Sequence, residues 1–140
     1  MTSITSGVKM AAIALAAAAA FNPALAQSSK STLYAYHTGA AEGGCPPLDW
    51  HIVKAPDNKL SGFVVSDRSH HMVSLEGEAN KNGTFELDLD PTMIPGATGK
   101  VTVRGTTGGD YINLSIEGSG TKCDGITLSI PRVVGGYGGN

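Results

Sequence analysis

The chain has 140 residues, of which 41% are hydrophobic and 16% charged, which is the length and composition of one folded domain rather than of a polytopic membrane protein or a coiled coil. Its formal net charge is −2, from 10 basic and 12 acidic side chains, so no basic excess exists to neutralise nucleic-acid phosphates, and the charge argues against nucleic-acid binding. Aromatic residues make up only 6% and glycine occurs 19 times, which predicts an aliphatic core and many turns.

Residues 1–26 have the pattern of a secretory signal peptide. Lys9 precedes the apolar run 10–21, and Ala24-Leu25-Ala26 places small residues before a cut at Gln27. The run would rise about 18 Å as a helix, too little to cross about 30 Å of hydrocarbon. We therefore expect export to the periplasm or the cell exterior with no membrane span, and Gln27 in place of cysteine excludes a lipoprotein anchor.

The exported part divides into an arm, a domain and a tail. Residues 27–44 are small and polar, and we interpret them as a loose N-terminal arm with one short strand near residues 33–36. Residues 45–133 form the expected β domain. The glycine-rich residues 134–140 are expected to be a flexible tail.

Seven runs with a period of two follow Cys45 and alternate with turn-forming residues. Short strands at this spacing predict an all-β fold, a seven- or eight-stranded antiparallel meander that forms a small barrel or a flattened sandwich. No segment after residue 26 shows a sustained helical period. The runs are 50–55, 60–66, 72–79, 84–90, 100–106, 111–118 and 126–130.

The register of two hairpins can be predicted from the side-chain alternation. A three-residue loop at 81–83 would place Gly77 opposite Leu87 and collect every apolar side chain of both runs on one face, with Gly83 supplying a positive φ. A two-residue loop at 108–109 would place Val101 opposite Ile116. The two registers, with the continued alternation of the last run, predict inward side chains that include Leu75, Leu87, Val103, Leu114 and Leu128.

The first hairpin would also bring five carboxylates onto its outward face. Like charges that oppose each other destabilise a sheet, so either solvent and salt screen this face or a cation or a basic partner binds it. Oxygen ligands suit Ca²⁺ rather than Zn²⁺, yet the sequence has neither EF-hand spacing nor an RTX repeat, and we assign neither a metal site nor a cofactor. The five residues are Glu76, Glu78, Glu86, Asp88 and Asp90.

Two further residue groups carry weak chemical signals. Cys45 and Cys123 are the only cysteines, and in an exported domain they predict one disulfide that closes a loop of 78 residues. Asp67, Ser69 and His70 are residue types of a hydrolase triad, but they crowd into one turn without a G-x-S-x-G elbow or an oxyanion hole. We therefore do not expect an enzyme.

Cys45, Trp50, Cys123 and Gly125 form a layout that resembles small exported bacterial all-β proteins, in which a strand with an early Trp follows a Cys and a Cys-x-Gly strand ends the fold. That resemblance implies a small barrel or meander and no particular activity. The chain is also similar, less closely, to secreted metalloprotease-inhibitor barrels, whose N-terminal arm enters the protease cleft and whose cysteines lie closer together.

These observations together predict an exported, non-enzymatic binding protein whose partner is an unknown small ligand or protein. Two alternatives are an inhibitor of a secreted protease and a structural component of the envelope or a pilus. The interior of the fold distinguishes a binding protein from a protease inhibitor. An open apolar pocket favours a protein that carries a ligand, whereas a filled interior with a protruding arm favours an inhibitor.

Overall fold

The computed structural model describes residues 30–37, 44–66 and 70–135. The expected signal peptide, the first residues of the arm and most of the tail lie outside these described residues. Within them, no helix is both long and apolar enough to cross a membrane.

The fold is a meander of eight antiparallel strands in two four-stranded sheets. The first sheet has the order β1-β2-β3-β4 and the second β5-β6-β7-β8, so every strand pairs with its neighbour in sequence except at the step from β4 to β5. This confirms the all-β prediction and selects the flattened, two-layered form over a closed barrel. The strands are β1 Thr32–His37, β2 Asp49–Lys54, β3 Lys59–Ser66, β4 His71–Glu78, β5 Thr84–Leu89, β6 Val101–Gly108, β7 Tyr111–Glu117 and β8 Thr127–Pro131.

Strand β1 shows that part of the predicted arm belongs to the sheet. Residues 32–37 pair with β2 along their whole length, and Tyr34 is buried with its hydroxyl donating a hydrogen bond to the Gly109 carbonyl at 2.9 Å. Burial raises the pKa of this hydroxyl. The short strand expected near residues 33–36 is therefore present as β1, and it is a paired edge strand of the first sheet.

The core lies between the two sheets and follows from the period-two pattern of their strands. The five side chains predicted to point inward are all buried, from Val103 at 0% exposed to Leu128 at 7%. Trp50 and Ile52 on β2 are completely buried against them. Every second residue of a strand faces the same way, so the sequence alternation alone was enough to select this set.

The predicted pairing of β4 with β5 is wrong, although the turn between them forms as expected. The Gly83 N–H donates to the Asn80 carbonyl at 2.8 Å, and Gly83 has a φ of 86°. Beyond this turn the strands part, because the Ala79 N–H bonds to Asn58 beside β3 and the Thr107 N–H of β6 bonds to Gly83. The turn is thus a corner between the sheets and not the end of a hairpin.

The hairpin of β6 and β7 forms, but its register differs from the prediction by two residues. Val103 lies opposite Ile116, and the loop consists of Gly109 and Asp110. Gly109 has a φ of 52°, as the first central residue of a type II′ turn requires. A shift of two residues leaves every side chain on its predicted face, so the inward set is unchanged.

Two connections hold the edges of the sandwich together. Cys45 and Cys123 form the predicted disulfide, with their Cα atoms 4.6 Å apart, and so join the segment before β2 to the loop before β8. Separately, Tyr34 forms a β-bridge with Arg132, and the Val133 N–H donates to the Leu33 carbonyl at 2.8 Å. These contacts join the end of the chain to the edge of the first sheet.

Candidate functional site

The five predicted carboxylates are exposed but do not form the opposed pairs that the sequence suggested. Glu76 lies opposite Ser61 and Glu78 opposite Lys59 in the first sheet, whereas Glu86 lies opposite Arg104 in the second. The predicted repulsion of facing carboxylates therefore does not arise. The argument for a compensating cation, which depended on that repulsion, no longer holds.

Basic side chains and hydrogen-bond donors of the chain itself compensate most of the acidic charge on β5. The Arg104 Nε donates to the Glu86 carboxylate at 2.9 Å, and the Lys100 Nζ lies 3.1 Å from Asp88. Asp90 accepts hydrogen bonds from the Thr92 hydroxyl and N–H, which lower the pKa of its carboxyl. In the described part of the chain, no group of three or more His, Cys, Asp or Glu side chains is placed to hold a metal ion.

His71 belongs to a chain of exposed hydrogen bonds that does not have the geometry of a hydrolytic triad. Its Nε2 lies 3.0 Å from the Thr92 hydroxyl, which donates to Asp90 at 2.6 Å. A nucleophilic hydroxyl would donate to the imidazole instead. Of the three residues singled out in the sequence, Asp67 and Ser69 lie outside the described residues, and His70 is exposed.

The outer surface of the first sheet carries a cluster of exposed apolar side chains that sequence reasoning missed. We call this cluster the apolar face. Met72 is 65% exposed, Leu33 39% and Phe63 37%. The register places Val53 beside Leu33 and Val65 beside Met72, so the cluster crosses all four strands. The apolar face consists of Leu33, Val53, Phe63, Val65 and Met72.

The centre of the apolar face is a stacked pair of rings. The His51 and Phe63 rings are 4.5 Å apart and inclined by 18°. Gly62 permits the close approach of β2 and β3 beneath them, since a Cβ at this position would lie 1.9 Å from the His51 carbonyl oxygen. The Nδ1 atom of His51 is buried and makes no hydrogen bond within the described structure. The stack therefore packs two rings against each other at the centre of the apolar face.

The outer surface of the second sheet is polar. Between β6 and β8 it forms a shallow, open depression of about 360 Å³, in which the Ser129 hydroxyl donates to the Asn113 side-chain oxygen at 2.6 Å. A second open depression of about 460 Å³ lies beside Asp88 and Lys100. The outward side chains lining the first depression are Arg104, Thr106, Asn113, Ser115, Thr127 and Ser129.

The space between the sheets is filled by side chains from both. Trp50, Ile52 and Val64 of the first sheet are completely buried, as are Val103 and Ile112 of the second. Both depressions lie on the outside of the sandwich. Among the described residues, these side chains pack the space between the sheets, and the two depressions lie on the outside.

Comparison of the chain with protein-family models, with curated proteins and with solved structures finds no match. The assignment of a site therefore depends on the geometry of the chain itself. One signal in the sequence could have revealed the apolar face. Phe63-Val64-Val65 is a continuous apolar run within a predicted strand, which is typical of a strand that is covered on both faces.

Proposed function

We propose that this chain is an exported, non-enzymatic binding protein that holds a protein partner against its apolar face. The observation that carries the proposal is the exposure of Met72, Leu33 and Phe63 on a single sheet surface. Contiguous exposed apolar patches on soluble proteins mark interaction sites, because leaving them in water costs free energy.

The shape of the apolar face favours a protein over a small molecule as the partner. Small ligands are held in concave pockets that bury most of their surface, whereas this face is the open outer side of a β-sheet. The rings of His51 and Phe63 stack against each other on it, 4.5 Å apart. An open surface of this kind gains contact area only from a partner that is itself broad.

Export is supported by the covalent chemistry of the chain. A disulfide such as Cys45–Cys123 persists in oxidising compartments and is rare where thiols are kept reduced. The pattern of residues 1–26 agrees with this interpretation. The alternative of a protease inhibitor depended on an arm whose first residues lie outside the described part, and the filled interior alone does not favour it.

Photocrosslinking in the producing cells tests the proposal. A photoreactive phenylalanine analogue at Met72 would project from the apolar face, and the same analogue at Thr106 would project from the second sheet as a matched control. After irradiation, adducts are separated by denaturing electrophoresis and identified by mass spectrometry. We expect one dominant protein adduct from position 72 and none from position 106.

Equal amounts of adduct from positions 72 and 106 would show that the crosslinks arise from random collisions and would contradict specific binding at the apolar face. No adduct from position 72, in protein that is folded and disulfide-closed, would reject the apolar face as a binding surface.

A further inference from the structure

We infer that Met72 is a modification site, which peroxides oxidise to the sulfoxide, and that this oxidation releases the partner from the apolar face. The inference rests on the proposed function, because it concerns the regulation of the same surface. It is carried by the sulfur atoms that a peroxide can reach, by the side chains that lie beside Met72 in the sheet, and by the polarity that the added oxygen brings.

Met72 carries an exposed thioether, whereas the other sulfur-bearing side chains that the structure describes are protected. Cys45 and Cys123 are joined in the disulfide, and the chain has no further cysteine that a peroxide could oxidise before a methionine. Met93 is 0% exposed, but Met72 is 65% exposed. Since susceptibility to oxidation follows exposure, Met72 is the described methionine that should react while the protein is folded.

The oxidation needs a peroxide as its only co-reactant. A lone pair of the Met72 sulfur attacks one oxygen of the peroxide, so that a sulfur–oxygen bond forms and the oxygen–oxygen bond breaks. The proton of the transferred oxygen passes to the oxygen that leaves. The sulfur is thereby oxidised to a sulfoxide, and the peroxide is reduced to water or to an alcohol.

The oxygen would be added within the surface that the partner is proposed to cover. The register places Met72 opposite Val65 on β3, and Phe63 is its diagonal neighbour on the same strand. Opposite and diagonal residues on one face of a sheet lie within reach of each other when a side chain is long. The sulfoxide would therefore stand beside two apolar members of the apolar face.

The sulfoxide replaces an apolar contact by a polar one. Methionine is flexible and polarizable and adapts to the surface of a partner, whereas its sulfoxide is polar and disrupts such interfaces. Neither Val65 nor Phe63 has a side-chain donor to offer the new oxygen. Burial of an acceptor without a donor is costly, and we expect the association to weaken by about tenfold.

Peptide mapping after treatment with hydrogen peroxide tests the modification in purified, disulfide-closed protein. Cleavage after lysine and arginine places Met72 in the peptide 69–81 and Met93 in the peptide 82–100, so each methionine is measured separately. Met72 should gain an oxygen about tenfold faster than Met93, because Met93 reacts only in molecules whose core is open. In urea the two rates should become equal. Equal rates in the folded protein would overturn the modification site.

Photocrosslinking in the producing cells tests the effect on the partner. The photoreactive phenylalanine analogue is placed at Phe63, so that Met72 stays in the chain, and adducts are compared before and after a pulse of hydrogen peroxide. The dominant adduct should fall by about tenfold after the pulse. It should persist in the matched control Met72→Leu, which keeps an apolar side chain of similar volume and has no sulfur to oxidise. Met72→Gln, which carries a permanent polar group, should lower the adduct without peroxide.

The two proposals fail in different ways. An adduct that peroxide leaves unchanged, or that falls equally in Met72→Leu, overturns the regulation and leaves the proposed function standing. No adduct from position 63 before the pulse, in folded and disulfide-closed protein, rejects the proposed function and the regulation with it. Both variants change an exposed side chain, so their melting temperatures should stay close to that of the wild type, which separates lost binding from lost folding.

Discussion

The side chain of Leu87 on β5 lies directly over Gly77 on β4, although the two strands belong to different sheets. A Cβ at position 77 would lie only 2.2 Å from the Leu87 Cδ2 atom. The sequence predicted these two residues as neighbours across a hairpin. They are instead neighbours beside the corner between the two sheets, where the absence of a side chain on Gly77 makes room for a buried leucine.

Gly77→Ala should therefore destabilise the protein. Leu87 is 2% exposed and cannot move aside without disturbing the core, so we expect the free energy of unfolding to fall by about 1–3 kcal/mol. Gly108→Ala is the control, because a Cβ there would meet nothing within 4 Å. Urea denaturation of both variants measures the difference, and equal stabilities would show that Leu87 does not fill the space over Gly77.

Leu114→Ala should leave a cavity in the middle of the core. The side chain is 3% exposed, and its loss should lower the free energy of unfolding by about 2–5 kcal/mol. Thr106→Ala, at an exposed position on the neighbouring strand, should change it by less than about 0.5 kcal/mol. A loss below about 1 kcal/mol for Leu114→Ala would contradict the inward register of β7.

Glu86→Gln should be slightly destabilising, because the mutation removes the ion pair with Arg104. Both side chains are more than half exposed, so the expected loss is at most about 1 kcal/mol and fades as salt screens the pair. If Glu86 instead faced another carboxylate, the mutation would relieve repulsion and raise the stability. Glu76→Gln is the control, because Glu76 lies opposite Ser61. Thermal melts at low and high salt show whether Glu86→Gln lowers or raises the melting temperature.

Protonation of Asp124 should lower the free energy of unfolding as the pH falls. Its carboxylate accepts hydrogen bonds from the Ser119 hydroxyl and N–H and from the Gly120 N–H, and the bonds from Ser119 do most to lower the pKa of Asp124. A lowered pKa in the folded state means that the stabilisation is complete above the unfolded-state pKa and is lost as the pH falls through the folded-state value.

Asp124→Asn should therefore melt at a lower temperature at neutral pH and lose less stability than the wild type on acidification. Melting temperatures from neutral pH down to about pH 2, below the ordinary pKa of a carboxyl group, measure this. Glu78→Gln should keep the wild-type profile. An unchanged acid profile in Asp124→Asn would show that the loop around Ser119 does not depend on the carboxylate charge.

The disulfide should contribute strongly to stability because it closes a loop of 78 residues. In the chain-entropy model, replacing Cys45 and Cys123 by Ala should lower the free energy of unfolding by up to about 4 kcal/mol. We expect the mature chain to begin at Gln27. Its intact mass should be two hydrogens below that calculated for the same chain with two free thiols. Two thiols that alkylate without reduction would contradict the bond.

The alternation of apolar and polar residues along each run was enough to predict strands and the inward set, because a strand places every second side chain on the same face whatever its partner. It also predicted the turn at Asn80 to Gly83, whose hydrogen bonds are local. The presence of only two cysteines, together with the expectation of export, was enough to predict the disulfide. These features depend on residues close in sequence or on a single possible pairing.

Only the tertiary structure decided which strands pair. A turn such as Asn80 to Gly83 can end a hairpin or make a corner between sheets, and the choice is made by distant partners, β3 for β4 and β6 for β5. This strand pairing also places Glu76 and Glu86 in different sheets, and it places Glu86 opposite Arg104. It also placed Leu33, Phe63 and Met72 on one surface, because side chains from separate strands become neighbours only when long-range pairing sets the order of the sheet.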